Sequence, residues 1–227
     1  MTIHYHGTPI TPRRVLMTLA GRHFCVSFAA PNDVDCCHRI GQSVMLDNGA
    51  FSAWKRGHVP DWDKYYEWCG NWLRYKTTWA VIPDVIDGSE GENDLLEHTC
   101  PLPRQQAAPV WHLHESLARL RRLCGRYPRV CFGSSGEYAV IGTRKWYERV
   151  SRAFDEITFN GIPSAAIHML RGMNLSGSAY PFASVDSTDV ARNHNRPQNV
   201  AADMAAKWDA LQCPAVWQGA AAQGKLF

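Results

Sequence analysis

Phe182-Ala183-Ser184-Val185-Asp186-Ser187-Thr188-Asp189-Val190-Ala191-Arg192-Asn193 begins as a short apolar strand and ends in a carboxylate followed by small hydroxyls and an arginine. Far upstream, Val44-Met45-Leu46-Asp47-Asn48-Gly49-Ala50-Phe51 has the same form, an apolar run that stops at an aspartate. Brief continuous apolar runs of this kind fit strands buried on both faces. Working outward from these two, similar runs occupy residues 3–6, 23–28, 43–47, 79–83, 109–112, 130–133, 166–170 and 182–186. Helical patterns lie between many of them, over residues 62–75, 92–98, 116–124, 143–154 and 200–211, with Ser116 and Thr143 placed as N-caps.

Strands that alternate with helices predict an α/β protein, a compact (β/α)8 TIM-type barrel. The barrel is either complete or short of an element, because the last two strands have no clear helix between them. A doubly wound sheet is the alternative. Both architectures put chemistry at the carboxyl ends of the strands. Asp47, Asp84, His112, Gly133 and Asp186 all fall at or just beyond such ends. Residues 1–214 are expected to form one catalytic domain and residues 215–227 a flexible tail.

A chain of 227 residues with 45% hydrophobic and 20% charged residues has the composition of a globular domain. No apolar run reaches the roughly 18 residues of a membrane span, so no membrane association is expected. Met1-Thr2-Ile3-His4-Tyr5-His6 lacks the basic-then-apolar order of a signal peptide, and the expected location is the cytoplasm. The eight cysteines contain no C-x-x-C pair and are read as reduced, mostly buried thiols. The net charge of +3 neither requires nor excludes nucleic acid. Arg119, Arg121, Arg122, Arg126 and Arg129 cluster, followed by Arg144, Lys145, Arg149 and Arg152. These form either a solvated helix face or a surface that tracks phosphates.

Two strand-end carboxylates suit the breaking and remaking of a glycosidic bond. An ionised Asp186 can attack an anomeric carbon and form a covalent sugar ester. A second carboxylate, Asp47, can manage the proton on the leaving or entering base. The glycine after Asn48 lets backbone approach a flat ligand. Taken singly, Asp186 is equally a helix cap, Asp47 a turn residue of an Asp-Asn-Gly bend, and Asp84 a cap after Pro83.

Leu46-Asp47-Asn48-Gly49-Ala50-Phe51 resembles the Asp-Ser-Gly-Gly-aromatic segment of tRNA-guanine transglycosylases. Val130-Cys131-Phe132-Gly133-Ser134-Ser135-Gly136-Glu137 resembles their glycine-rich strand end. Ile167-His168-Met169-Leu170-Arg171-Gly172 resembles their following strand, where a methionine packs on the bound base. The 182–193 segment resembles their nucleophile strand. Order and approximate spacing agree across residues 44–193. The zinc-site cysteines of the tRNA enzymes are missing, since only Cys213 follows Asp186. The shorter chain and the Ser-Val-Asp-Ser-Thr strand resemble more closely the phage-type DNA-guanine transglycosylases. Those exchange guanine in DNA for a 7-deazaguanine such as 7-cyano-7-deazaguanine.

The resemblance implies Asp186 as nucleophile and Asp47 as general acid/base. It implies Asn48, Phe51, Asp84, His112, Gly133, Ser134 and Met169 around the base. Phe51 would stack on the base and Asp84 would meet its Watson–Crick edge. Arg192 and Arg196 would meet phosphate. DNA, or alternatively tRNA, and a free 7-deazaguanine base are the implied partners. No cofactor, metal or zinc subdomain is implied. A strict alignment on Phe182 puts Ala183 at the tRNA family's nucleophile position, and Asp186 is chosen for its chemistry.

Two other readings use different residues. His4-x-His6, His112, His168 and Asp186 follow the ligand order of metal-dependent, amidohydrolase-like barrel hydrolases. Gln223-Gly224-Lys225-Leu226-Phe227 resembles the Gln-x-x-Leu-Phe peptide that docks on the DNA sliding clamp, through Gln223, Leu226 and Phe227. That peptide belongs either to an enzyme tethered to replicated DNA or to a non-catalytic, clamp-bound accessory protein.

Overall fold

The computed structural model describes residues 1–219. Its strands are β1 (Ile3–Gly7), β2 (His23–Ser27), β3 (Ser43–Asp47), β4 (Thr78–Val81), β5 (Ala107–Ala108), β6 (Val110–His112), β7 (Arg129–Gly133), β8 (Thr158–Phe159), β9 (Ile162–Pro163), β10 (Ala166–Met169) and β11 (Ser184–Ser187). Nine of them form one sheet in the order β5-β4-β3-β2-β1-β11-β10-β7-β6, with every pairing parallel. Each expected strand is present. The antiparallel β8–β9 hairpin was not anticipated, since two-residue strands are too short to leave a pattern.

The two edges of this sheet, β5 and β6, are separated only by Pro109. Proline has no N–H to give to a ladder, and so divides the segment. β5 pairs with β4 on one side of the break and β6 pairs with β7 on the other. The sheet therefore curls into a nearly closed, barrel-like wall.

Helices surround the wall: α1 (Arg13–Met17), α2 (Val34–Ile40), α3 (Ala50–Arg56), α4 (Trp62–Trp72), α5 (Glu90–Thr99), α6 (Leu117–Arg126), α7 (Arg144–Ile157), α8 (Asp189–Asn193) and α9 (Ala201–Asp209). Ser116 and Thr143 accept from the backbone N–H groups of Arg119 and Trp146, capping α6 and α7 as expected. Between β10 and β11 there is only the short 3-10 turn Met173–Leu175. α1, α2, α3 and α8 have five to seven residues, too few to declare a 3.6-residue period.

Strand parity sorts the core into layers. Tyr5, Cys25, Met45, Trp79, Val81, Ala108, Val110 and Cys131 fill the inside of the wall. Their strand neighbours face outward. Phe24, Val26, Val44 and Leu46 pack with Leu16, Tyr65 and Cys69 on one flank. Trp111, Phe132, Ile167 and Val185 pack with Leu120, Trp146 and Phe154 on the other. Both faces of β2, β3, β4 and β7 are thus largely apolar, which is why those runs read without alternation.

All eight cysteines are free, six of them buried. The arginine cluster is largely structural. Arg119 is buried and pairs with Glu115 at 2.7 Å and Asp94 at 2.8 Å. Arg122 pairs with Asp94, Arg126 with Glu97 and Arg121 with Glu156. Arg129 lies over the Trp79 ring at 4.4 Å. Their charge is spent on acidic neighbours and an aromatic face. The body of the fold continues to Trp217, past the expected boundary at 214. That indole donates to Asp155 and packs in the core against Phe154 and Tyr180. The clamp-like Gln223, Leu226 and Phe227 lie outside the described residues. Among the described residues, no helix is long and apolar enough to cross a membrane.

Candidate active site

At the end of β3 the chain turns sharply. Gly49 has φ +76°, and a Cβ there would stand 3.1 Å from the Ala29 backbone nitrogen, so the turn requires glycine. Gly49 N–H donates to Asp47 Oδ2 (3.1 Å) and Ala50 N–H donates to Asn48 Oδ1 (2.8 Å). These bonds fix Asp47 at the strand end and start α3 at once, which brings Phe51 beside it.

The same turn ties three strand ends together. Asn48 Nδ2 donates to the Ile82 carbonyl (2.9 Å) and to Asp84 Oδ1 (2.7 Å). His112 Nε2 lies 2.9 Å from Asp84 Oδ2. Gly133 backs this histidine closely: a Cβ at 133 would come within 2.8 Å of His112 Nδ1. Next to it, the Ser134 hydroxyl is pinned by the Trp146 indole N–H at 2.9 Å.

On the other side of the wall, Asp186 is 8% exposed. Its Oδ1 accepts from the Arg171 backbone N–H (2.7 Å) and lies 3.2 Å from His168 Nε2. His168 Nδ1 is 2.8 Å from the Ser184 hydroxyl. Burial holds His168 below its ordinary pKa, against the pull of Asp186. A neutral ring that donates from Nε2 to Asp186 and accepts the Ser184 hydroxyl at Nδ1 satisfies all three groups. Asp189 is occupied elsewhere, accepting from Asn193 (2.7 Å) and from the Trp208 indole (3.0 Å).

These strand ends open on one cavity of about 530 Å³. Asp47, Asp84 and Asp186 line it, together with Asn48, Phe51, His112, Gly133 and Ser134. Burial pushes the Asp47 carboxyl up to about 6. The Ser27 hydroxyl and the Gly49 N–H oppose the shift, and the fields of Asp186 and Asp84 add to it. Cys25, also in the lining, is pushed up by burial and then by Asp186 and Asp47, so it is an inert thiol. The cations Lys55, Arg56, Arg171 and Arg192 border the same space. Two of them flank Phe51, with Arg171 4.1 Å and Lys55 4.7 Å from the ring centre. The cavity therefore combines enclosed carboxylates with an exposed basic rim.

Two expected site residues lie elsewhere. Met169 faces away, into the core between wall and helices, and Leu170 takes its place in the lining. Ile167 and Met169 share one face of β10 and His168 the other, so strand parity already contained this answer. Arg196 follows α8, exposed and away from the cavity, whereas Arg192 lines it. The ligand order suggested for a metal hydrolase also separates. His4 and His6 point outward, 2.8 Å from Ser176 and 3.1 Å from Asp209 respectively, while His112 and His168 face inward. Among the described residues, no group of three or more His, Cys, Asp or Glu is placed to hold a metal ion. Sequence reasoning missed Arg171, Lys55 and Ser27. Arg171 stood inside a quoted segment, but only its backbone conformation reveals where it reaches.

Compared with known proteins, the chain matches no family model, no curated protein and no solved structure.

Proposed function

We propose that this protein is a DNA-guanine transglycosylase, built on a (β/α)8 barrel in which β5 and β6 are one strand interrupted at Pro109. What carries the reading is the meeting of Asp47, Asp84 and Asp186, from three separate strand ends, in one cavity with an aromatic face and a basic rim. Asp186 attacks the anomeric carbon of a guanine nucleotide as the glycosidic C–N bond breaks. Asp47, held near a pKa of about 6, is partly protonated at neutral pH and gives its proton to the departing base. The product is a deoxyribosyl ester on Asp186. The entering 7-deazaguanine loses its N9 proton to Asp47 and attacks the same carbon. This expels Asp186, regenerates both carboxyl groups and retains configuration.

The surroundings suit the two halves of such a substrate. Each Asp84 oxygen accepts one protein hydrogen bond and keeps room for another, as the paired N–H donors of the guanine edge require. Lys55, Arg56 and Arg192 suit phosphates on either side of a nucleotide turned out of its stack, at a cost of a few kcal/mol.

Guanine-labelled DNA, and separately labelled tRNA, incubated with the protein and 7-cyano-7-deazaguanine, test the reading by release of label. Release from DNA is expected, and Asp186→Ala abolishes it. Release from tRNA alone transfers the same chemistry to tRNA. No release from either intact substrate overturns the proposal.

A further inference from the structure

Arg171 touches both halves of the cavity. Its backbone N–H donates to Asp186 Oδ1 at 2.7 Å, while its guanidinium lies 4.1 Å from the Phe51 ring centre and reaches the Ser134 carbonyl at 3.2 Å. It holds this posture with φ +57°, in the left-handed region that non-glycine residues seldom adopt. The turn around it is tight. Gly172 N–H bonds back to the Met169 carbonyl at 3.2 Å, and a Cβ at 172 would strike the Met169 side chain. A backbone conformation of this kind persists where neighbouring contacts over-determine it. Here the contacts are Phe51, Ser134 and Asp186.

Resting on the transglycosylase reading, we propose that Arg171 is the positioning residue that couples the base-stacking face of Phe51 to the Asp186 nucleophile. A planar base needs about 3.5 Å on each side, so roughly 7 Å between ring and guanidinium. At 4.1 Å there is no such gap. A base that stacks on this face of Phe51 pushes the guanidinium aside, and the displaced side chain belongs to the residue whose N–H orients Asp186. Base arrival and carboxylate orientation are thus linked through one residue.

The proposal predicts that tolerance of positive φ, rather than charge, decides which substitutions keep the nucleophile in place. Arg171→Gly adopts the left-handed conformation freely, and Arg171→Val resists it. The first readout is amide hydrogen exchange at residue 171, which requires no catalytic activity. Protection is expected in the wild type and in Arg171→Gly. It is lost in Arg171→Val and, with residue 171 untouched, in Asp186→Ala, each exchanging at least about tenfold faster. The second readout is base exchange. Arg171→Gly keeps the N–H on Asp186 but cuts the link to Phe51, so kcat falls about tenfold, less than in Arg171→Val, and KM for 7-cyano-7-deazaguanine is lower because the Phe51 face is freed. Arg171→Val lowers kcat by about a hundredfold, the scale on which a misplaced reacting group is felt.

Wild-type kcat in Arg171→Lys with Arg171→Gly as impaired as Arg171→Val would make charge the active property and overturn the proposal. Wild-type kcat in Arg171→Gly would show that no coupling runs through the side chain and overturn it as well. So would unchanged protection at residue 171 in Asp186→Ala. If the wild type exchanges no base, the transglycosylase reading fails. The exchange data for Arg171→Gly and Asp186→Ala then still decide the positioning claim, including when Arg171→Val does not fold.

Discussion

Replacing Asp47 by asparagine is expected to stabilise the fold while ending its chemistry. Burial raises the Asp47 carboxyl from 3.8 to about 6, opposed by Ser27 and Gly49 and reinforced by Asp186 and Asp84. The folded chain therefore holds this proton more tightly than the unfolded chain does. Below 3.8 the group is neutral in both states and carries no penalty. As pH rises from 3.8 towards 6 the unfolded chain releases its proton first, and stability falls. Above about 6 the full penalty is in place. A shift of about two units corresponds to roughly 3 kcal/mol as an upper bound. Asp47 is partly open to the cavity, and solvent screening reduces the expected figure to about 1–2 kcal/mol.

Asparagine has nearly the same volume and keeps an acceptor for Gly49 and Ser27, so the charge is the main difference. For a domain of this size, 1 kcal/mol moves Tm by about 2–4 °C. Asp47→Asn should therefore melt roughly 2–8 °C above wild type at pH 7.5. The advantage should shrink to about a third of that free energy at pH 4.5, by the same linkage. Scanning calorimetry or urea unfolding at the two pH values reads it. An asparagine variant no more stable than wild type at pH 7.5, or equally favoured at both pH values, refutes the reasoning. Guanine release by the variant at the wild-type rate would remove Asp47 from the proton transfer.

Asp189→Ala loses the bonds from Asn193 and Trp208 and should cost about 1–2 kcal/mol in urea unfolding, with base release unchanged. Gly133→Ala drives a methyl to 2.8 Å from His112 Nδ1 and 3.0 Å from Val110 Cγ1. It should destabilise by about 1–3 kcal/mol and weaken guanine binding in calorimetry, because His112 must shift away from Asp84. Glu115→Ala leaves the buried Arg119 with Asp94 as its remaining carboxylate and removes the acceptor of Asn93 and the His112 N–H, so it should cost about 2–4 kcal/mol in the same unfolding assay, with Glu115→Gln costing less.

Most strands were legible because their residues are apolar on both faces, and the parallel wall follows from helices placed between them. Closure was less legible. Near-closure depends on the two edge strands β5 and β6 meeting at Pro109, which no periodicity records. α3 escaped notice for a related reason: seven residues that begin at a left-handed glycine look like the rest of a turn. Yet α3 delivers Phe51, Lys55 and Arg56 to the cavity. Asp47, Asp84, His112, Gly133 and Asp186 could be picked out because a carboxylate, imidazole or glycine at a strand end departs from the apolar pattern. Met169 was expected at the base from the resemblance alone, whereas strand parity turns it to the outer face with Ile167. Arg171 could not be placed at all, since an arginine after a strand usually points to solvent, and its reach back to Phe51 follows from a positive φ.

The choice between aspartates in the 182–193 segment rests on what each carboxylate is already doing. Asp189 spends both oxygens anchoring α8 to Asn193 and Trp208. Asp186 receives the Arg171 N–H and His168 on a single oxygen, Oδ1, a grip that fixes the carboxylate while Oδ2 makes no bond among the described residues. Asp47 also accepts hydrogen bonds, from Ser27 and Gly49, but burial outweighs them and the fields of Asp186 and Asp84 add to it, which keeps its carboxyl above the ordinary range. Unequal surroundings around paired carboxylates are what divide acid from nucleophile in double-displacement chemistry. Here the inequality comes from different strand ends, one built on the Asp-Asn-Gly turn and the other on the left-handed turn at Arg171. Both are aspartates, so in the proposed reaction each role comes from the turn that surrounds the carboxylate and not from the residue type.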